Sequence, residues 1–181
     1  MTRSARVSTP FATSDPETKT SPVTIQALPA DFDRWGALLT LIRRSFAYMD
    51  GVIDPPSSAH RLTPEILRDK AQAETCLIAL AGDRLVGCIF VARRQDAVYV
   101  GKLAVEESAR GLGIGRLLMN SAERLALESG TPILELETRI ELTKNHATFE
   151  RLGFAEFKRT VHPGYDRITS ITYRKRLSVH P

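Results

Sequence analysis

A glycine-rich turn between two regular segments is the part of the sequence best suited to chemistry. It contains Gly111, Gly113 and Gly115, after an apolar, strand-like stretch and before a helical pattern. Glycines at such a junction let the backbone approach a ligand closely, and the first N–H groups of a helix have no partners within it. A helix start of this kind binds phosphate. Arg110 and Arg116 flank the turn and can add charge-assisted hydrogen bonds.

Two widespread phosphate-binding loops do not match this turn. A nucleoside-triphosphate loop requires Lys and then Ser or Thr after its last glycine, whereas Gly115 is followed by Arg116 and Leu117. A dinucleotide fingerprint requires its third glycine at the place of Arg116. The remaining pattern is Arg-x-x-Gly-x-Gly, formed by Arg110, Gly113 and Gly115. The alternative is a tight turn that binds nothing.

Through this pattern, an acetyl-CoA signature, the chain resembles the GNAT superfamily of acyl-CoA-dependent N-acyltransferases. A second stretch, from Asn145 to the helix end Leu152-Gly153-Phe154, is similar to another motif of that family. The resemblance covers roughly residues 23–176. It implies that a fourth strand ending at Val105 binds the pantetheine arm through its backbone, and that the glycine turn wraps the pyrophosphate.

The resemblance also implies acetyl-CoA as acyl donor and a set of residues that contact it. These residues are Leu103, Ala104, Val105, Arg110, Gly111, Leu112, Gly113, Ile114, Gly115, Arg116, Asn145 and Phe149. Asn145 has a second interpretation as a helix cap, because asparagine favours caps for backbone reasons of its own. No metal is expected.

Acetyl transfer to an amine requires a neutral nucleophile, a hydrogen-bond donor for the thioester oxygen and a proton for the departing thiolate. The resemblance implies a backbone N–H near Val105 as the donor. Many family members carry a tyrosine at the position of Phe149, which has no proton to give. Phe149 is therefore expected to pack beneath the coenzyme. The proton is expected from another hydroxyl, with Tyr48, Tyr99 and Tyr165 as candidates, or from water, or else the thiolate leaves unaided.

The general base is less clearly marked. Some relatives carry a glutamate base on the fourth strand at the position of Tyr99, which has Lys102 nearby. A carboxylate can come instead from Glu135 or Glu137 on the next strand, although strand alternation also produces such pairs without function. The predicted catalytic residues are Tyr99, Tyr165 and Glu137.

The acceptor pocket is expected in loops that neither motif covers. Residues 48–50 with 54–57 form one predicted wall, and residues 163–166 form the other. Aspartates and aromatic rings there suit a cationic amine, through ion pairing and cation–π contact, although turns also favour Asp for local reasons. The predicted acceptor-binding residues are Tyr48, Asp54 and Asp166.

Periodicity and chain breakers predict the elements that position these residues. The predicted strands are 23–27, 76–81, 85–94, 97–105, 133–138, 154–161 and 170–176. The predicted helices are one capped by Asp31 and ended by Gly51, one from Thr63 to about residue 74, one over 114–129, and a short one ending at Leu152. Local strand pairing followed by strand–helix alternation implies a mixed sheet covered on both faces. The resemblance implies an α+β type of α/β fold with six to seven mostly antiparallel strands.

Length and composition bound the remaining possibilities. The 181 residues suit one domain at 23–181, after a Ser- and Thr-rich segment at 1–22 that is predicted to be a disordered tail. The net charge of +4 favours an anionic partner, but no block of like charges supports nucleic-acid binding. No apolar run is long enough for a membrane span and no secretory signal is visible, so the protein is expected in the cytoplasm.

Two smaller expectations concern thiols and assembly. Cys76 and Cys88 lie in apolar strand-like stretches and are predicted to be buried thiols. The last strand, residues 171–177, is expected to be an exposed sheet edge through which a homodimer can form.

These observations predict an N-acetyltransferase that moves the acetyl group of acetyl-CoA directly to a primary amine of a small molecule or a protein. The alternative, motivated by Phe149, is an acyl-CoA-binding sensor or interaction module with little turnover.

Overall fold

One mixed sheet of seven strands organises residues 22–178, the part of the chain that the computed structural model describes. The strands are β1 (Val23–Ala27), β2 (Thr75–Ala81), β3 (Arg84–Arg93), β4 (Val98–Val105), β5 (Ile133–Arg139), β6 (Ala155–Thr160) and β7 (Ser170–Arg176). The helices are α1 (Trp35–Phe46), α2 (Pro64–Ala73), α3 (Ile114–Glu128) and α4 (Thr143–Arg151), with short 3-10 turns at Ala47–Met49, Ser58–Arg61 and Glu107–Ala109. The predicted tail lies outside the described residues, except for Pro22.

The strand order is β1-β2-β3-β4-β5-β7-β6. Neighbouring strands are antiparallel except β4 and β5, which are parallel. The predicted mixed, mostly antiparallel α/β fold with helices on both faces is therefore confirmed.

Each face of the sheet carries its own hydrophobic core. On one face α1 and α2 bury Leu38, Ile42 and Leu67 against Phe90. On the other face α3 packs so closely that a Cβ added at Gly87 of β3 would lie 3.0 Å from Leu118 Cδ1. The sheet is thus held between two helical layers.

The first helix begins later than predicted. Arg34 is the residue before α1, and its side chain makes no capping hydrogen bond. Asp31 instead lies in a turn in which the Phe32 N–H donates to the Pro29 carbonyl at 3.1 Å. Phe32 packs edge-on against Trp35, with ring centroids 5.0 Å apart. The prediction that Asp31 caps the helix is wrong, because this aromatic pair extends the apolar spacing beyond the helix itself.

The last strand is an interior strand. β7 pairs with β5 on one side and with β6 on the other, and Ile171, Thr172 and Tyr173 on it are buried. The prediction of an exposed edge at 171–177 is wrong, because β6 occupies the outer position and leaves β1 and β6 as the two edges. A homodimer remains a prediction, but an exposed edge at the last strand no longer supports it.

Candidate functional site

A cleft opens where the two parallel strands separate. β4 and β5 pair only through Val98 with Leu134 and Tyr99 with Glu135, and a cavity of about 520 Å³ lies beyond that point. The register against β3 gives β4 one extra residue near Lys102, whose φ is +51°. A bulge of this kind sharpens the twist of the strand and re-aims its side chains. The cleft is therefore created by the backbone of β4.

The glycine turn leads from β4 into α3 with its amide groups uncovered. Gly113 precedes the helix with φ +78°, and no side chain caps the helix start. The first helical bond runs from the Leu117 N–H to the Gly113 carbonyl at 3.0 Å, so the N–H groups before Leu117 have no partner in the helix. A Cβ added at Gly111 or Gly113 would meet no atom within 4 Å. This geometry suits a phosphate group, as the sequence predicted.

The predicted strand contacts lie beside that turn. Leu103 and Val105 are half-buried and Ala104 is buried. The Val105 N–H donates to the Ser45 hydroxyl at 3.3 Å, and the Arg110 guanidinium reaches the Ser45 carbonyl at 3.5 Å. Ser45 was not predicted, since its only signal is a polar residue within the apolar pattern of α1. Strand, turn and α1 meet at this residue.

The rest of the predicted turn is divided between core and solvent. Leu112 and Arg116 are exposed, Ile114 is buried, and a Cβ at Gly115 would lie 3.8 Å from Val105 Cγ2. Ile114 therefore anchors the helix start while its neighbours remain accessible.

Tyr99 and Glu137 face the cavity from the two separated strands. Burial, with a contribution from the Glu137 carboxylate, raises the pKa of Tyr99 to about 12, so its hydroxyl keeps its proton. A Cβ at Gly101 would lie 3.0 Å from Tyr99 Cε1, which shows that the ring lies along the strand over this glycine. Glu137 is exposed. The pair offers a proton donor and a free carboxylate within one cleft.

Glu135 has a different environment from Glu137. Its side chain is buried and pairs with Arg94, and its second oxygen accepts from Arg174 Nε at 2.8 Å. Arg174 in turn pairs with Asp96 at 2.8 Å. Glu135 is therefore part of an ion-pair network that joins β5 to β7, which leaves Glu137 as the accessible carboxylate of this strand.

Tyr165 and Asp54 contact each other rather than the cavity. The Tyr165 hydroxyl donates to Asp54 Oδ1 at 2.6 Å, and Arg167 Nη2 lies 3.0 Å from Asp54 Oδ2. The Tyr165 hydrogen bond, together with Arg167, lowers the pKa of Asp54. These contacts join the two predicted walls of the acceptor pocket. Asp166 is exposed beside them.

Tyr48, Asn145 and Phe149 line the cavity from the helical side. The Asn145 amide donates to the Tyr48 hydroxyl at 2.9 Å, so its side chain bridges α4 to the turn after α1 instead of capping a helix. The Phe149 ring lies 6.1 Å from Phe154 and 6.2 Å from Tyr173, centroid to centroid. Phe149 thus has core packing on one side and the cavity on the other.

Three further findings limit the chemistry of the described residues. Burial raises the pKa of Cys76 to about 12 and also raises the pKa of Cys88, so the prediction of buried, unreactive thiols is confirmed. Residues 22–178 contain no group of three or more His, Cys, Asp or Glu side chains that could hold a metal ion. None of the helices in this part of the chain is long and apolar enough to cross a membrane.

An opened parallel strand pair, an uncapped glycine turn and a cleft with a carboxylate and a protonated tyrosine define an acyl-CoA-dependent transferase class. A family model described as "Acetyltransferase (GNAT) family" matches residues 35–154. The chain belongs to this family. Membership of an acetyltransferase family favours catalysis over the sensor alternative.

Individual relatives agree with this assignment. The chain is 29% identical over 93 residues to N-alpha-acetyltransferase 30 of Schizosaccharomyces pombe, a match that covers 48% of this chain and 61% of that protein. The chain therefore spans less than two thirds of the length of this curated relative.

Solved structures share the fold. The ribosomal-protein-S18-alanine N-acetyltransferase of Escherichia coli matches with a TM-score of 0.66 and 20% identity, over 88% of this chain and 97% of that one. A GNAT family acetyltransferase of Elizabethkingia anophelis with acetyl-CoA bound matches with a TM-score of 0.60 and 16% identity, over 86% and 98%.

Proposed function

We propose that this cleft transfers the acetyl group of acetyl-CoA directly to a primary amine of a small molecule or a protein. The observation that carries the proposal is that Arg110 lines the same cavity as Tyr99 and Glu137, and that the uncapped start of α3 follows Arg110 directly in the chain. The names of the yeast relative and the E. coli neighbour keep a protein amine among the candidate acceptors.

The coenzyme half of the site uses mostly backbone. We assign the pyrophosphate to the N–H groups from Gly113 to Arg116. We assign the pantetheine arm to the backbone of Leu103 to Val105, which has no pairing partner on β5. Arg110 lines the cavity and adds positive charge beside the turn. Acetyl-CoA supplies an acetyl group already activated as a thioester.

The transfer half uses side chains. The amine nitrogen bonds to the acetyl carbon, Glu137 accepts the proton that the nitrogen loses, and the C–S bond breaks. Tyr99 donates a hydrogen bond to the departing thiolate, which then takes a proton from solvent. At a pKa of about 12 the Tyr99 hydroxyl remains a donor through the neutral range. The Val105 N–H is held by Ser45 through a long bond of 3.3 Å, which a thioester oxygen can replace as it gains charge.

The remaining predicted residues have supporting roles in this proposal. Tyr48 and Asn145 brace the cavity wall through their mutual hydrogen bond. Asp54 and Tyr165 hold two loops together, with Asp166 at their outer side. Tyr165 therefore contributes to the shape of the site, whereas Tyr99 is the tyrosine that acts at the reacting atoms.

A thiol-release assay with the purified full chain, acetyl-CoA and a panel of amines tests the proposal. We expect coenzyme A release that depends on the amine and an equal amount of acetylated product in the mass spectrum. If the protein binds coenzyme A but no amine produces thiol above the rate of hydrolysis, the transfer proposal fails and the sensor alternative replaces it.

We also propose that the protein acts in the cytoplasm. Two free thiols, at Cys76 and Cys88, are buried without a disulfide, as is usual in a reducing compartment. Fractionation of cells that produce the chain from its own gene checks this, and recovery outside the cytoplasmic fraction would contradict it.

A further inference from the structure

The cavity lining carries positive charge in places other than the glycine turn. Apart from Arg110 beside the glycine turn, its lining includes Arg61, Lys102 and Arg139, against a single carboxylate, Glu137. Two arginines outside the cavity lining, Arg167 and Arg174, have carboxylate partners within 4.0 Å. Among residues 22–178, Arg61, Lys102 and Arg139 form no such pair. This part of the cleft can therefore bind an anion.

Lys102 is directed into the cleft by the bulge of β4. Its positive φ of +51° is unusual for a residue with a side chain, and such strain is typical of functional sites. The ammonium group donates to the Ser58 hydroxyl at 2.7 Å, in the loop that follows α1. A neutral hydroxyl does not balance a half-buried positive charge, so Lys102 is available to a negatively charged ligand.

Arg139 is available for a different reason. Its Nε donates to the Thr169 carbonyl at 3.1 Å, which fixes the guanidinium plane. Its Nη2 is buried and makes no hydrogen bond within the described part of the chain. A buried donor without an acceptor is costly, and a carboxylate is the partner that a guanidinium binds best. Arg139 thus lines the cavity with a guanidinium group that is held in place and has one unused donor beneath the cavity surface.

The separation of Glu137 and Arg139 suits one small molecule. Residues two apart on a strand point to the same face, about 7 Å apart along the strand. Both line the cavity, so a carboxylate and a guanidinium stand side by side there. A compact molecule that bears an amine and a carboxylate can meet both at once.

We propose that the acceptor is a small amine that also carries a carboxylate, the simplest example being a free amino acid. Its amine lies at Glu137 and its carboxylate lies between Arg139 and Lys102. This rests on the proposed function and specifies its substrate class. It replaces the expected recognition of a cationic amine by Asp54, because Arg167 and Tyr165 already balance that charge.

The loops that border the cavity favour a small acceptor over a protein segment. The Asp54 and Tyr165 hydrogen bond ties the loop after α1 to the loop between β6 and β7. Arg167 reinforces the tie through Asp54 and Glu141. With both loops held together, this end of the cleft has a fixed border, which suits a compact acceptor better than an extended protein segment.

The test compares free amino acids with their own amides, such as leucine with leucinamide and alanine with alaninamide, by thiol release from acetyl-CoA. The amide removes the negative charge and also lowers the pKa of the amine, which increases the fraction of neutral amine at neutral pH. A preference for the acid therefore cannot come from the supply of neutral amine. We expect kcat/KM to be about tenfold or more higher for the acid. Arg139→Gln and Lys102→Gln should each remove most of this preference. Arg124→Gln, on the exposed side of α3, is the matched loss of positive charge and should retain it.

A binding measurement separates this inference from the proposed function. Calorimetry of N-acetyl-leucine and N-acetyl-leucinamide with the coenzyme A-bound protein should show tighter binding of the acid in the wild type and equal binding in Arg139→Gln. The affinity for coenzyme A should stay within about twofold in that variant. Three results would overturn the inference while acetyl transfer stands. These are equal use of acids and amides, a preference for acids that survives in both variants, and faster acetylation of a peptide N-terminus than of a free amino acid. Absence of any transfer would refute the proposed function, and the calorimetry then decides the carboxylate site by itself.

Discussion

The two halves of the cleft use different groups, backbone amides in one half and side chains in the other. The proposed coenzyme half consists of backbone groups at the start of α3, where Gly113 leaves the amides uncovered and no side chain caps the helix. The proposed acceptor half consists of side chains from β4, β5 and two loops, with Glu137, Arg139 and Lys102 contributing its charges. The difference indicates that donor binding and acceptor choice are separable, so substitutions in one half should leave the other half intact.

Gly113→Val should produce the largest effect, because it adds a branched side chain where the pyrophosphate is proposed to lie. We expect the affinity for coenzyme A to fall more than about 100-fold by calorimetry. Gly130→Val is the matched control, since Gly130 also has a positive φ, +73°, and open space around its Cβ position, but follows the far end of α3. Both variants carry similar backbone strain. Equal loss of coenzyme binding in the two would contradict the assignment.

Glu137→Gln should affect the acceptor half alone. Without a carboxylate to take the proton of the amine, kcat/KM should fall about 100-fold at neutral pH. The dissociation constant of coenzyme A should be unchanged. Glu128→Gln, which removes an exposed carboxylate from α3, should leave the rate at the wild-type value. An unaltered rate in Glu137→Gln would show that the proton leaves by another route.

Tyr99→Phe should lower kcat about tenfold, because it removes a hydrogen bond to the departing sulfur. With a pKa of about 12, Tyr99 stays protonated up to high pH, so its pKa contributes no limb to the rate profile between about pH 6 and 10. Wild type and variant should therefore show profiles of the same shape. If an alkaline limb below pH 10 is lost in the variant, Tyr99 titrates there and the assigned role is wrong.

Phe149→Tyr should have the smallest effect. It restores a hydroxyl at the position where many relatives have one, within a ring cluster that already includes Tyr173. Because Tyr99 is proposed to serve the sulfur, we expect kcat to change by less than about threefold. A rise of tenfold would indicate that Phe149 limits the rate and that Tyr99 does not replace the missing tyrosine.

The sequence predicted the backbone half of this account well. Spaced glycines identified an uncapped helix start from local physics alone, and alternation located the strands to within one or two residues. The thiols at Cys76 and Cys88 were also correctly expected to be buried, since free cysteine packs as a small hydrophobe.

The side-chain half was less predictable, because it depends on which distant segments meet. Glu135 and Glu137 look equivalent in the sequence, yet Arg94 and Arg174 neutralise Glu135 while Glu137 faces the cleft. Lys102 points into the cleft because β4 has a bulge, and no pattern in the sequence predicts that bulge. The interior place of β7 likewise depends on strand order, which periodicity does not encode.

Amide hydrogen exchange with and without coenzyme A tests the central claim most directly. The start of α2 is an internal reference, because the Thr63 hydroxyl already accepts the Ile66 N–H at 3.2 Å and occupies that helix end. We predict that coenzyme A slows exchange at residues 113–116 and leaves residues 65–67 unchanged. Protection elsewhere in the chain, with residues 113–116 exchanging as before, would contradict the claim that the glycine turn holds the coenzyme.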